Sequence, residues 1–476
     1  MATATGFLLA CWAMTPPAEQ ILTVAQMRAA EEALIAGGES VDSLMKIAGS
    51  GAAEWVWRIA AGRPVTVLCG PGNNGGDGYV IAETLRERGL AVTVIAPMEP
   101  KTEAAQRARA AYKGALAEGG RGGVFVDCLF GSGLTRPLGA DMTGLVRELA
   151  SHHHYRVAVD LPSGFESDAG AMLDDHLPHY DLTLALGAWK FAHWLMPAMA
   201  RMGERRLVPL AVEPVDGAAR LLARPHFTAP AADAHKYTRG LVVVIGGGMA
   251  GASTLASEGA LRAGAGAVRL ASTHPHPSVA PDVVLKDGPL GELLKERRTN
   301  AVLVGPGLGL DDSARQRLVD VLGADLPTVA DADALTLLTP RLLEDRSAPL
   351  ILTPHGGEME RLARSFAIEG KGKVGQAQAL ARATRAVVVA KGPDTVIAAP
   401  DGRLVLAPSP TSWLAVAGTG DVLAGATASR LAAVDDPFRA ACEAVWLHGE
   451  AARLAGPAFL ASELAKAVSR AYVASL

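Results

Sequence analysis

Two short segments place glycines next to an aspartate: Gly70-Pro71-Gly72-Asn73-Asn74-Gly75-Gly76-Asp77-Gly78 in the first half of the chain and Gly418-Thr419-Gly420-Asp421 in the second. Glycine lets backbone N–H groups approach an anion closely, and an adjacent aspartate can move a proton or hold a cation. Both read as phosphate-type loops, so the chain is expected to carry two active sites.

Around the first loop, three more segments follow candidate strands and would converge at the carboxyl edge of a parallel sheet, where open α/β folds bind ligands. They are Asp127 with Phe130-Gly131-Ser132-Gly133-Leu134-Thr135-Arg136-Pro137, then Asp160-Leu161-Pro162-Ser163-Gly164, then Gly187-Ala188-Trp189-Lys190. Asp77, Asp127 and Asp160 are costly to desolvate alone, which implies a cation or a polar ligand. Taken singly, an aspartate after a strand is often a helix cap and Asn-Gly-Gly is often a turn. Their succession at strand ends is what points to a site.

The second loop opens a helix reaching about Leu431. Backbone donors at its start form an anion hole, and Asp421 can deprotonate an attacking hydroxyl; phosphoryl transfer needs that pair of functions. Gly305-Pro306-Gly307-Leu308-Gly309, Asp331-Ala332-Asp333, Thr353-Pro354-His355-Gly356-Gly357-Glu358 and Lys391-Gly392-Pro393-Asp394-Thr395 add glycine turns and charged groups upstream. Gly246, Gly248 and Gly251 satisfy G-x-G-x-x-G after a strand, yet the next strand, ending near Ala271, offers no acidic residue for a ribose. A hydride-transferring dinucleotide site is therefore not expected there.

The elements that must hold these residues show in the apolar periodicity. Val65 to Leu68, Ala91 to Ala96, Val124 to Val126, Arg156 to Val159 and Leu182 to Leu186 read as buried strands. Gly78 to Arg88, Thr102 to Ala117 and Asp141 to Ala150 read as helices between them, the rhythm of a parallel, doubly wound sheet. Two further helices precede them, Thr23 to Ile35, opened by a Thr23/Gln26 capping box, and Ser40 to Ala60. After a Pro/Ala-rich stretch from Glu213 to Ala234, strands resume at Leu241 to Ile245 and run to Leu404 to Leu406, with hairpin-like pairing at the end. The second half is therefore α/β too, and the halves share no repeat.

At 476 residues the chain exceeds what one core usually organises, so two domains are expected. A formal charge of −4 offers no nucleic-acid field and no polybasic membrane patch, which leaves small molecules as partners. Cys11, Cys69, Cys128 and Cys442 form no C-x-x-C pair and read as reduced structural thiols of a cytoplasmic protein. Gly6 to Cys11 superficially resembles a lipoprotein cleavage site, but no Lys or Arg precedes it. Residues 1–19 are read as a disordered extension, with Met14 as an alternative start. No stretch is long and apolar enough to span a membrane.

On Asn73 to Gly78, Val126 to Pro137, Val159 to Gly164 and Lys190, residues 20 to about 212 resemble the N-terminal domain of the NAD(P)HX epimerases, the YjeF N-terminal fold. The resemblance implies that Asn73, Asn74, Gly75, Gly76 and Asp77, with Gly131, Ser132, Gly133, Leu134, Thr135, Arg136 and Pro137, cradle the hydrated dinucleotide. It implies potassium held by Asn74, Asp127 and Ser163, oxygen ligands that suit a hard cation, and substrate contact by Asp160. Inverting the hydroxylated C6 of the hydrated nicotinamide requires the C6–O bond, or the ring, to open and re-form, and a carboxylate in reach can act as base and then acid. Asp160 is assigned that role ahead of Asp77 and Lys190.

Residues 235 to about 470 resemble the ADP/ATP-dependent NAD(P)HX dehydratases, of ribokinase-like fold. This implies that Lys391, Gly392, Pro393, Asp394, Thr395 and Gly420 bind the adenine nucleotide, that Gly307, His355 and Asp421 bind the hydrated dinucleotide, and that Glu358 helps organise magnesium. Asp421 would deprotonate the C6 hydroxyl, the terminal phosphoryl of ADP would transfer to it, and phosphate would leave as the ring nitrogen's lone pair restores the double bond. One departure stands out. Pro410-Thr411-Ser412-Trp413-Leu414-Ala415-Val416-Ala417 replaces the family's usual Gly-Asn-Pro-Gly-Met-Ala-Thr-Gly and sets bulky Trp413 and Leu414 near the expected nucleotide pocket.

The expectation is an α/β chain with a Rossmann-like epimerase domain over 20–222, a linker over 223–234 and a ribokinase-like dehydratase domain over 235–476. Together they form a bifunctional isomerase and lyase acting on NADHX and NADPHX with ADP, and exposed sheet edges suggest self-association. Two rivals are a ribokinase-type vitamin-precursor kinase, which would accumulate a phosphorylated product, and an N-terminal domain that serves only as a ligand-binding scaffold.

Overall fold

The computed structural model describes residues 19–476 apart from 273 and 277. The extension over 1–19, with Cys11 and Met14, therefore lies almost wholly outside the described residues. The chain divides into two compact units, one ending at Leu221 and the next beginning at Leu222. No described helix is long and apolar enough to cross a membrane.

In the first unit, β1 (Gln20–Leu22) leads into α1 (Val24–Ala36) and α2 (Val41–Ala60). The Thr23/Gln26 capping box forms as expected: the Gln26 N–H donates to Thr23 Oγ1 at 3.2 Å and the Thr23 N–H to Gln26 Oε1 at 3.0 Å. Then come β2 (Val65–Cys69), α3 (Asn73–Glu87), β3 (Val92–Ile95), α4 (Glu103–Ala111), β4 (Gly122–Cys128), α5 (Ala140–Ser151), β5 (His153–Val159), β6 (Leu182–Leu186), β7 (Trp189–Lys190), β8 (Glu204–Val208) and β9 (Ala219–Leu221). The main sheet is parallel throughout, in the order β3-β2-β4-β5-β6-β8. Val65, Val67, Val124, Val126, Val157 and Val159 pack on one face with the alanines of α2, while Leu68, Phe125 and Ala158 pack on the other with Val146 and Leu149 of α5. Burial on both faces is why these strands read as continuous apolar runs rather than alternating ones.

Two expectations change. Asn73 to Gly78 is not a loop: α3 begins at Asn73, and only Gly70-Pro71-Gly72 turns. Two close approaches allow it, because a Cβ on Gly75 would sit 1.9 Å from Gly70 O and one on Gly76 2.4 Å from the Met45 methyl. The helix expected over Thr102 to Ala117 stops at Ala111, where Tyr112 turns extended, and the chain then pairs Leu116 with Val94.

The second unit contains β10 (Leu241–Ile245), α6 (Ala250–Arg262), β11 (Ala267–Ala271), β12 (Val283–Lys286), α7 (Leu290–Leu294), β13 (Thr299–Val304), α8 (Asp312–Gly323), β14 (Thr328–Ala330) and α9 (Asp333–Leu337). It continues with β15 (Leu350–Leu352), α10 (Gly356–Ser365), α11 (Gly372–Thr384), β16 (Val387–Ala390), β17 (Asp394–Ala398), β18 (Leu404–Pro408), α12 (Thr419–Leu431), α13 (Pro437–Ala455) and α14 (Ala461–Ala474). Within the unit the strands run β12-β11-β10-β13-β14-β15-β16-β17-β18, parallel as far as β16 and antiparallel over the last two, the late hairpin pairing expected from the sequence. Helices α6 and α12 approach closely through two glycines. A Cβ on Gly425 would lie 1.9 Å from Ala256 O, and one on Gly259 2.6 Å from Val422 O.

Candidate active sites

Successive crossovers in the first unit diverge between β2 and β4, because β3 returns on the far side of β2. The crevice beyond the carboxyl ends of those two strands is where such a sheet binds ligands. A cavity of about 570 Å³ lies there, walled by Asn73, Asn74 and Asp77 of α3, Gly131 to Leu134 after β4, Asp160 after β5 and Lys190 of β7. Helix α1 closes it with Met27, Arg28 and Glu31.

Asp160 is the centre of this site. It holds φ of +64°, a left-handed conformation uncommon for a non-glycine residue, and two backbone bonds keep it there. Its N–H donates to Leu184 O at 2.8 Å, and its carbonyl accepts from His193 Nε2 at 2.7 Å. Because His193 Nδ1 accepts the Lys190 N–H at 2.9 Å, Nε2 carries the ring proton; burial pushes this histidine down to about 4, so it stays neutral. The Asp160 carboxylate takes Lys190 Nζ at 2.6 Å on one oxygen and the Ser132 N–H at 2.7 Å on the other. Burial works against its charge, but the Lys190 ammonium and these hydrogen bonds prevail and hold it below the usual carboxylate range. Gly131 is required beside it, since a Cβ there would fall 2.6 Å from Asp160 Oδ2.

Two neighbouring acids behave oppositely. Burial first, then the negative charges of Asp160 and Glu31, push Asp77 well above the ordinary range, and burial raises Glu31 as well. Asp127 lies deeper. Its oxygens accept from the Leu129 N–H, the Ser163 N–H and hydroxyl, and the Tyr180 hydroxyl at 2.5–3.1 Å. Asn74 presents a buried amide whose oxygen and nitrogen have no hydrogen-bond partner among the described residues. An orphaned amide oxygen near an oxygen-rich turn fits a hard cation such as potassium.

The structure thus gathers Asn73, Asn74, Asp77, Gly131, Ser132, Gly133, Leu134 and Asp160 around one cavity. Gly75 and Gly76 do not line it and serve the packing of α3; Thr135, Arg136 and Pro137 do not line it either. Glu31 and Arg28 were missed by the sequence reading. Only a helix without a motif carries them, so no local signal could have found them.

In the second unit, Asp421 lies in the first turn of α12, after Gly418 at φ of +92°. Burial, followed by the charge of Asp331, pushes its carboxyl up to about 6, against the pull of Lys391. Lys391 Nζ bonds Asp331 at 2.6 Å and stands 3.9 Å from Glu358. It also reaches the start of α12, 3.6 Å from where a Gly420 Cβ would stand. Burial opposes the Lys391 charge, yet Asp331, Glu358 and Asp421 together keep its pKa above the usual value. The Gly305 to Gly309 turn joins this cluster when the Gly309 N–H donates to Asp333 Oδ2 at 2.8 Å.

His355 caps α10: its Nδ1 accepts the Gly357 N–H at 3.0 Å while Glu358 accepts the His355 N–H at 2.7 Å. In the turn after Lys391, the Gly392 N–H donates to Thr395 Oγ1 at 3.2 Å and Asp394 pairs with Lys373 at 2.5 Å. Trp413 lies in a short 3-10 turn and is 48% exposed. The Thr419 hydroxyl pins that turn by donating to Leu414 O or Val416 O, at 3.0 and 2.9 Å. Asp331, named from sequence among the charged groups but given no role there, completes the surroundings of the two loops with Lys373 and His448, whose Nε2 lies 2.9 Å from Thr419 O and which the sequence reading did not name. At G-x-G-x-x-G, the intervening Gly247 lets the backbone meet Leu308 O, to which a Cβ would approach within 2.3 Å.

Comparison with known proteins decides the family. A model described as YjeF-related protein N-terminus matches residues 41–192, and one described as NAD(P)H-hydrate dehydratase matches residues 242–472. The bifunctional NAD(P)H-hydrate repair enzyme Nnr of Gloeobacter violaceus is 34% identical over 90% of this chain and 92% of its own length. That of Mycobacterium tuberculosis is 35% identical over 86% of this chain and 88% of its own. The chain belongs to the bifunctional NAD(P)H-hydrate repair enzyme family. A crystal structure of the ADP/ATP-dependent NAD(P)H-hydrate dehydratase from Bacillus subtilis, co-crystallised with ATP and Mg2+, is 32% identical over 53% of this chain and 95% of its own, with a TM-score of 0.47. Within this repair-enzyme family chain, the YjeF-related match begins at residue 41, so α1 and its Glu31 lie ahead of it.

Proposed function

We propose that this repair enzyme interconverts the R and S forms of NADHX and NADPHX in the cavity of the first unit, over residues 20–222. It then dehydrates the S form to NADH or NADPH at the second, over residues 235–476, consuming ADP. The observation that carries the first activity is the Asp160–Lys190 pair: a carboxylate kept ionised inside a cavity is equipped to take the proton of the C6 hydroxyl. Asn73, Asn74, Asp77 and the Gly131 to Leu134 turn bind the hydrated ring and its phosphates. Asn74, Asp127 and Ser163 would hold potassium, which when bound supplies positive charge for an anionic group of the substrate.

At the second site Asp421 takes the C6 hydroxyl proton, and Lys391 with the Gly420 backbone faces the transferring phosphoryl. Magnesium, with Glu358 and the neighbouring acids, would neutralise the nucleotide's charge. Gly307 and His355 bind the dinucleotide. The reaction belongs in a cytoplasm, where NADH and NADPH are used.

The deciding experiment follows NADH absorbance from a mixture of both NADHX epimers with magnesium, potassium and ADP. The intact enzyme should convert both epimers and release one free phosphate per NADH. Asp160→Asn should strand the R form while leaving the S form convertible, and Asp421→Asn should abolish recovery of both. A phosphorylated product that accumulates, or equal loss of both epimers on Asp160→Asn, would overturn the assignment.

A further inference from the structure

In the first-unit cavity Asp77 is 7% exposed, and no protein group among the described residues hydrogen-bonds or ion-pairs with its carboxyl. The charged and titratable groups around it are Glu31 on α1, Asp160 after β5 and Lys190 on β7, with the Cys128 thiol of β4 behind. Of the cations lining the cavity, Arg28 and Lys101 make no hydrogen bond or ion pair with Asp77, and Lys190 is already committed, because its Nζ bonds Asp160 at 2.6 Å and Leu186 O at 2.6 Å. Desolvation beside two other acids, with no donor to offset it, pushes the Asp77 carboxyl towards its protonated form. Asp160, in the wall of the same cavity, is held towards its charged form by Lys190 and its hydrogen bonds. Two carboxyls whose surroundings drive them to opposite protonation states make a matched acid and base.

We propose that Asp77 is the proton donor of epimerisation, acting on the ring nitrogen while Asp160 accepts the proton of the C6 hydroxyl. The role rests on the epimerase reading above. As Asp160 takes the hydroxyl proton, the C6–O bond becomes a carbonyl and the C6–N1 bond breaks with its electron pair passing to N1. Asp77 gives N1 the proton that makes it a neutral leaving nitrogen. Rotation about C5–C6 turns the other face of the aldehyde towards N1. Ring closure then returns one proton to Asp77 while Asp160 protonates the new hydroxyl, so no atom or electron is gained or lost. The Asp160–Lys190 pair alone could not do this, since its ammonium is bound to the base it must keep ionised.

Asp77→Asn keeps the shape but removes the acid, and Asp77→Glu restores one. In the full-length chain, Asp77→Asn should cut the epimerisation kcat by about 10²–10⁴-fold. KM should change little, the alkaline fall of the wild-type pH profile should vanish, and Asp77→Glu should recover part of the rate. A second readout needs no activity: the infrared difference between wild type and Asp77→Asn at neutral pH should contain the carbonyl band of a protonated carboxyl. Near-normal kcat in Asp77→Asn, or absence of that band, overturns the proposal. If the band is present but wild type does not interconvert epimers, the epimerase reading itself falls and takes this role with it.

Discussion

Burial gives Asp421 a proton affinity that a surface aspartate lacks, and this has a direct kinetic consequence. Its carboxyl sits near 6 through desolvation and the neighbouring charge of Asp331, with Lys391 pulling the other way. Only the ionised form can take a hydroxyl proton, so dehydration of S-NADHX should fall as pH drops through about 6. Replacing Lys391 with Met removes the opposing charge and should move that acid limb to higher pH, as well as slowing phosphoryl transfer; kcat against pH for both proteins checks it. At Asp160 the sign reverses. Its pKa is depressed in the folded state, so its ion pair stabilises the chain above the unfolded carboxylate range and is lost as pH falls through the lowered folded value. Both aspartates were legible in sequence because each follows a glycine-rich or strand-end signal. Lys190 and Asp331 stood in segments the sequence also marked, but which charge meets which did not show: Asp331 lies 60 positions before Lys391, and Glu31 sits in a helix with no motif.

Glycines decide how closely elements approach, and two of them make sharp tests. A Gly75→Ala methyl would collide with the Gly70 carbonyl, backbone against backbone, so the first turn of α3 could not seat against the turn before it. Gly425→Ala would drive a methyl into Ala256 O and separate α6 from α12. Each should destabilise its unit by about 1–3 kcal/mol, the usual cost of overpacking, read from urea denaturation. Gly75→Ala should also impair epimerisation, because Asn73, Asn74 and Asp77 ride on the same helix turn. Strands were read well at this scale because parallel strands buried on both faces leave unbroken apolar runs. The start of α3 was misread for the opposite reason: Asn-Asn-Gly-Gly has poor helix propensity, and tertiary contacts at Gly75 and Gly76 override it. The end of α4 was misread because Ala and Lys beyond Ala111 suit a helix that the pairing of Leu116 with Val94 forbids.

At the scale of the whole molecule, the two sites have separate chemistry and a shared intermediate. If S-NADHX diffuses freely, Asp160→Asn and Asp421→Asn chains mixed in one tube should together recover NADH from both epimers, although Asp421→Asn alone recovers none and Asp160→Asn alone only the S form. Failure of the mixture would mean that the intermediate passes between sites of one chain only. Exchanging potassium for a large organic cation should slow conversion of the R form selectively, because Asn74, Asp127 and Ser163 belong to the first site alone. Two α/β units were legible from length and from the interrupted strand rhythm. Nothing local marks β9: it lies in the Pro/Ala-rich stretch that begins at Glu213, and its Ala219 pairs with Ile21, almost two hundred residues upstream.

The sequence by itself determined the two α/β units, the strand ends and the aspartates that follow them, because apolar runs and glycine-flanked acids are local patterns set by neighbours in the chain. Only the tertiary structure decided which carboxyl is pushed towards its charged form and which away from it. Asp77, Asp127 and Asp160 are alike as residues after or beside a strand end, and they differ in what folding brings to them. Asp160 receives an ammonium and a backbone N–H, Asp127 a shell of hydroxyl and N–H donors, and Asp77 no partner at all among the described residues. Protonation depends on desolvation and on charges a few ångströms away, quantities that come into being only when distant segments meet.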